Sequence, residues 1–382
     1  MEGNRIGSMR ASDAQNLLSL VRSALWSVPA VDLQDDISWE RVTALASRQT
    51  LLGLVADAVG YLQEDRHPPK SIMNRLFAGR AASIRAHALI NRRLGQVQEL
   101  LCEKGLRPVL LKGQGLAMNY PDPLARQCGD IDLYVGKIDC RKAYEIIVGK
   151  YGTHDYDTEN SKHYHVDCEG VTVELHKIAE YLPGPAADRK YQEWTMRHLH
   201  GDGLRQVEIE GVTVELPPVA FDSIYVLNHI WHHFINGGIG LRQVCDWTMY
   251  LHRFHEQIDV VQLERDLRDF SMMKVWHLFA GIAVDSLGLP ADECPLYEGK
   301  YADKSAAVLK VILDEGNFGY YSKKRTGKKP EGYVRGKLHT WRVVTSRLWS
   351  IFMIYPSAVI KYYFSYISNG VISFFKGLDE ER

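Results

Sequence analysis

The sequence predicts an α+β protein in which a small mixed sheet is embedded in a largely helical chain. Three observations carry that reading. Residues 10 to 105 place apolar side chains at helical spacing. Residues 106 to 217 change to short apolar runs and alternating stretches punctuated by glycine, the pattern of strands and hairpins. From Pro218 onward helical spacing returns. The expected division is therefore a helical domain over 1–105, an α/β domain over 106–217 and a second helical domain over 218–382.

Each element follows from its local pattern. AQNLLSLVRSALW repeats apolar residues at i, i+3 and i+4, and the polar stretch Asp32 to Ser38 separates it from WERVTALASRQTLLGLVADAVGYL, which resumes the period. A long helix is expected from Ser71 to Lys104, stopped by Gly105. RPVLLKG reads as a strand, QGLAMNYPDP as a helix and a proline-rich loop, DIDLYV as a second strand, and CRKAYEIIVGKYG as an amphipathic helix. HYHVDCEGVTVELHK and RQVEIEGVTVELPP read as hairpins, the first turning at Glu169-Gly170. No internal repeat or low-complexity tract is apparent, and KKRTGKKPEGYVRGK, 323 to 337, reads as a basic loop.

Composition narrows the function classes. The 382 residues are 46% hydrophobic and 24% charged, with 46 Lys+Arg against 47 Asp+Glu, so the overall charge gives no reason to expect duplex nucleic acid as a partner. Six scattered cysteines without a C-x-x-C pair read as reduced thiols, and the first residues lack an apolar secretory core, so a cytoplasmic location is expected. Residues 348 to 375 carry one charge, Lys361, over 28 positions. Pro356, Asn369 and the many Ser and Tyr fit two packed terminal helices, with contact at a membrane surface as the other reading.

The chemistry concentrates in GDIDLYV, residues 129 to 135. Strand alternation puts Asp130, Asp132 and Tyr134 on one face and Ile131, Leu133 and Val135 on the other. With the apolar face inward, two carboxylates lie roughly 7 Å apart on the same side. Such a pair repels unless a cation sits between, and magnesium or manganese suits oxygen ligands. In VTVELH, Glu174 is again an acid in an apolar frame, and antiparallel placement beside the Asp strand would bring it to the same cations as a third ligand. Lys112 adds charge at a strand end, and a helix starting near Gln114 would offer backbone N–H groups to an anion. Arg126 could reach a phosphate or pair with Asp122. His176, on the Glu174 face, could bind substrate or hydrogen-bond Glu174.

LLKGQGLAMNYPDPLARQCGDIDLYV followed by VELH resembles the nucleotidyltransferase superfamily that includes DNA polymerase beta, and more closely a bacterial family of uncharacterised nucleotidyltransferases with a KG…R..GDIDL pattern. The resemblance implies a small polymerase beta-like core, magnesium or manganese as cofactor and an NTP such as ATP as substrate. It implies metal-binding Asp130, Asp132 and Glu174 and triphosphate contact at the Lys112-Gly113 turn; Gln114, Arg126 and Arg242 are further candidates for nucleotide contact. The turn departs from the usual Gly-Ser or Gly-Gly, reading Lys112-Gly113-Gln114-Gly115. The segment NHIWHHFINGGIGLRQVCDW fits the same family and implies a helical domain closing over the cleft, with His233, Arg242 and Asp246 near nucleotide or acceptor; the bland reading of Arg242 and Asp246 is an i, i+4 ion pair. The expected activity is transfer of an NMP to the hydroxyl of a sugar, metabolite or protein. The alternative is a catalytically silent nucleotide-binding regulatory or antitoxin-like module.

Overall fold

The computed structural model describes residues 10–30, 32–152, 162–319, 321, 333–357, 359–360 and 362–363. Four helices open the chain: α1 (Ala11–Trp26), α2 (Trp39–Arg48), α3 (Leu52–Val59) and α4 (Lys70–Glu103). The periodic stretch after Trp39 is two helices because Thr50, at φ 56°, turns the chain between them. α4 runs 34 residues, about 50 Å at 1.5 Å per residue, and ends before Gly105 at φ 75°.

The sheet follows. Its strands are β1 (Val109–Leu110), β2 (Asp130–Tyr134), β3 (His163–Asp167), β4 (Thr172–His176), β5 (Arg205–Ile209) and β6 (Val212–Leu216), in the order β3-β4-β2-β1-β6-β5. Two short elements occupy the β1–β2 connection: α5 (Gln114–Ala117), a single turn of helix, and a 3₁₀ turn at Pro123–Ala125. α6 (Gly136–Tyr151) lies between β2 and the β3–β4 hairpin, and α7 (Pro185–Leu199) between the hairpins. β1 and β2 are antiparallel, and each has the inner strand of a hairpin as its parallel outer neighbour, β6 beside β1 and β4 beside β2. The antiparallel placement expected for Glu174 is thus corrected to parallel: after α6 the chain runs back along β3, opposite to β2, and the tight turn at Glu169-Gly170 reverses it again into β4.

Contrary to the expectation of no repeat, the string EGVTVEL occurs at 169–175 and again at 210–216. Both copies form a two-residue turn and the inner strand of a hairpin. Glu169-Gly170 and Glu210-Gly211 all have positive φ, between 50° and 85°, the arrangement whose twist matches that of paired strands.

One sheet face is apolar. Ile131, Leu133, Val173, Leu175, Val214 and Leu216 pack beneath Ile90, Leu94, Val97 and Leu101 of α4 and Cys140, Ala143 and Ile147 of α6. The larger core belongs to the helices: α1 to α3, the first part of α4, and α8 (Val219–Asn236), α9 (Leu241–Phe254), α10 (Val260–Asp269), α11 (Met273–Gly281), α12 (Ala302–Glu315) and α13 (Tyr333–Phe352). Leu348, Ile351, Ile354, Tyr355 and Val359 are buried in it, while Trp349, Met353 and Ile360 of the same stretch are exposed; 364–375 lie outside the described residues. No helix among the described residues is long and apolar enough to cross a membrane. The basic stretch at 323–337 begins outside the described residues and its end forms the start of α13.

Candidate functional site

β1 delivers Lys112 to the cleft, and Gly113 then reverses the chain at φ 61°, ψ −113°. A Cβ at Gly113 would stand 3.3 Å from the Asp130 carbonyl oxygen in a conformation side chains avoid, so glycine is required on both counts. β2 brings Asp130 and Asp132 to the face opposite the apolar one, and the parallel register sets Asp132 opposite Glu174 and Tyr134 opposite His176. α8 contributes His229 and His233, and α9 contributes Arg242 and Asp246. Together with Arg126 these groups line a cavity of about 290 Å³.

Its floor is a compact charge cluster. Asp132 is 1% exposed, and its Oδ1 lies 2.8 Å from Lys112 Nζ and 2.9 Å from His176 Nε2. His176 Nε2 is also 3.4 Å from Glu174 Oε2. Burial would raise the Asp132 pKa, but Lys112 and the His176 hydrogen bond hold it well below the usual range. Glu174 is lowered for the same reasons, against burial and the charge of Asp132. Asp130 goes the other way, raised by the neighbouring Asp132 and by burial. Burial would lower both Lys112 and His176, yet the carboxylates around them win and both are raised. Three acids that need positive charge, served by one ammonium and one imidazole, are chemically suited to a divalent oxygen-binding cation. Asp132, Glu174 and His176 have ligand atoms within 4.8 Å of one another, as do His163, His165 and Glu174.

The rim carries the arginines. Arg126 donates through Nε and Nη2 to the two oxygens of Asp246, at 2.7 and 2.9 Å, and Tyr120 Oη donates to the same acid at 2.7 Å. The two alternatives weighed from sequence both give way: Asp122 pairs with Arg80 instead of Arg126, and Asp246 takes Arg126 instead of Arg242. Arg242 donates through Nη1 to the Gln127 carbonyl at 2.6 Å. Arg126 Nη1 and Arg242 Nε are buried without a hydrogen-bond partner among the described residues. Gln114 turns away from the cavity, its amide donating to Asn91 and meeting His87 Nδ1 at 3.1 Å. His233 lines the cavity and its pKa is pulled down to about 4 by burial and Lys112.

A buried acid behind the cleft, Glu180, escapes sequence reading. Its carboxylate lies 2.8 Å from Lys162 Nζ, 3.4 Å from His229 Nδ1 and 3.6 Å from His232 Nδ1, while His229 Nε2 meets Lys112 Nζ at 3.3 Å. The available signal was the i, i+3 spacing of His229 and His232 on α8, which puts both imidazoles on one face but does not say which acid they meet.

Residues 35–288 match a family described as uncharacterised nucleotidyltransferase, and the chain belongs to that family. No curated protein and no solved structure matches the chain.

Proposed function

We propose that the chain is a nucleotidyltransferase with a polymerase beta-like core, moving an NMP from an NTP to an acceptor hydroxyl and releasing pyrophosphate. The observation that carries this reading is the parallel β2–β4 register, which sets Glu174 opposite Asp132 beside Asp130 and the Lys112-Gly113 turn. Magnesium or manganese held by Asp130, Asp132 and Glu174 would supply charge neutralisation and activation of the attacking hydroxyl. The chain's own groups do the rest. Lys112 turns its ammonium from Asp132 to the triphosphate, and Arg126 and Arg242 offer it their uncommitted N–H groups. Asp246 holds Arg126 in place, and His176 holds the carboxylates. The acceptor oxygen bonds to the α-phosphorus as the bond to pyrophosphate breaks in line, with Glu174 the proposed acceptor of the hydroxyl proton. The acceptor proposed is the hydroxyl of a sugar, small metabolite or protein, and the setting proposed is cytoplasmic, in keeping with six cysteines that form no C-x-x-C pair.

One observation favours a silent nucleotide-binding module: Lys112 already neutralises Asp132, in a turn that reads Lys112-Gly113-Gln114. A mass-spectrometric screen of the protein with each NTP, magnesium and cell extract separates the readings. A nucleotidylated product lost in Asp132→Ala supports transfer, whereas calorimetric binding of a nonhydrolysable NTP without any product supports the module.

A further inference from the structure

The two hairpins share a turn and an inner strand, yet only one carries histidines on its outer strand. His163 and His165 are two residues apart on β3 and so face the same way, and the antiparallel register sets His165 opposite Glu174. At the same positions the second hairpin has Leu204 and Gln206, the latter opposite Glu215. The histidines are therefore no requirement of the EGVTVEL hairpin itself.

Each side chain of His163, His165 and Glu174 offers a ligand atom within 4.8 Å of those of the other two. His163 Nε2 and His165 Nε2 are 2.8 Å apart, His165 Nδ1 is 3.4 Å from Glu174 Oε1, and His163 Nε2 is 3.8 Å from Glu174 Oε2. Two ligands of a metal at about 2.1 Å stand roughly 3.0 Å apart in an octahedron and 3.4 Å in a tetrahedron. His176, whose ring lies 4.9 Å from that of His163, is already committed through Nε2 to Asp132. Glu174 thus presents one oxygen to His165 and the other to His163 and His176.

We propose that His163, His165 and Glu174 form a second cation site, selective for a transition metal of the zinc class, which shares Glu174 with the oxygen-lined site. Two imidazoles and a carboxylate suit zinc, cobalt, iron or manganese, whereas magnesium keeps to oxygen and gains nothing from nitrogen donors. The histidine side chains are 24% and 44% exposed, which leaves coordination positions open to water or a ligand, unlike a closed structural site. Glu174 is common to the site proposed for nucleotidyl transfer, but the metal site does not need that activity.

Cobalt titration of the full chain after chelator treatment tests this without reference to turnover. One equivalent of cobalt should produce visible d–d absorption that zinc abolishes and excess magnesium leaves intact. The double variant His163→Ala/His165→Ala should bind about tenfold more weakly or worse. The half-exposed His165→Gln, which keeps the fold by circular dichroism, should weaken binding in the same direction. Asp130→Asn should keep the cobalt spectrum even where it abolishes any nucleotidyl transfer, so the two proposals fail separately. Equal cobalt binding by wild type and His165→Gln, or displacement by magnesium, overturns the assignment. So does histidine NMR in which both rings respond to inorganic triphosphate in metal-free protein and not to cobalt, because the pair would then be a phosphate contact.

Discussion

The same seven residues, Glu-Gly-Val-Thr-Val-Glu-Leu, build hairpins on the two edges of one sheet, and their second glutamates meet different surroundings. Glu174 faces Asp132, His163, His165 and His176. Glu215, beside β1, forms a two-pronged ion pair with Arg107 at 2.5 and 2.8 Å, and Arg107 is half exposed. Beyond the repeat, His176 continues the first copy and Pro217 the second. Each hairpin is also followed by a buried acid, Glu180 after one and Asp222 after the other. Glu180 sits among Lys162, His229 and His232, whereas Asp222 pairs with Arg205 of β5 at 2.6 Å. The strand motif places a carboxylate, and the neighbouring strands decide whether it is a candidate ligand or an anchor.

The largest contrast should appear in activity. Glu174→Gln should lower nucleotidyl transfer by about 10²–10³-fold or more, while Glu215→Gln leaves the rate near wild type and changes stability by about 1 kcal/mol or less. Matched loss in both variants, in a labelled-NTP assay, would mean that the two glutamates do not differ in role. Stability should show the reverse bias. Arg205→Met leaves the buried Asp222, which holds its proton up to about 8, without its hydrogen-bond partner and should cost about 1–3 kcal/mol in urea unfolding at neutral pH; no measurable change would mean Arg205 does not anchor the hairpin.

The two buried acids should respond to pH with opposite sign. Burial would raise Glu180, but His229 and Lys162 hold it well below its ordinary 4.5, so its contribution is present above that value and lost as pH falls through the depressed one. Asp222 is raised by burial to about 8 against the charge of Arg205, so the folded state keeps a proton that the unfolded state releases near 3.8. Its contribution declines as pH rises from about 3.8 to about 8. Melting curves across pH should show Glu180→Gln relieving the acid-side loss and Asp222→Asn flattening the rise-side loss; parallel curves for both variants would contradict the assignment. The smallest effect should be the same in the two hairpins. Gly170→Ala and Gly211→Ala each force a left-handed alanine into open space and should cost roughly 1 kcal/mol.

Much of this was legible from alternation and turns. GDIDLYV fixes which side chains share a face, the Glu-Gly pairs fix both hairpins, and Glu174 stands out as an acid in an apolar frame. Strand direction was not legible, because a period of two is the same whichever way β4 runs beside β2. Side-chain partners were not legible either: Arg126 has Asp122 nearby in sequence and Arg242 has Asp246, yet folding brings Arg126 to Asp246 across 120 residues. Nor does local pattern reveal that Gln114 faces α4 or that Glu180 is enclosed by α8, since both depend on helices distant in the chain.

Nucleotidyl transfer at the β2–β4 carboxylates requires reaction at the α-phosphorus. The direct measurement incubates the protein with magnesium, cell extract and NTP labelled at either the α- or the γ-phosphate. Nucleotidyl transfer should leave α-label on an acceptor and γ-label in pyrophosphate, both absent in Asp132→Asn. Transfer of γ-label to an acceptor, or its release as inorganic phosphate by the wild-type site, would contradict it.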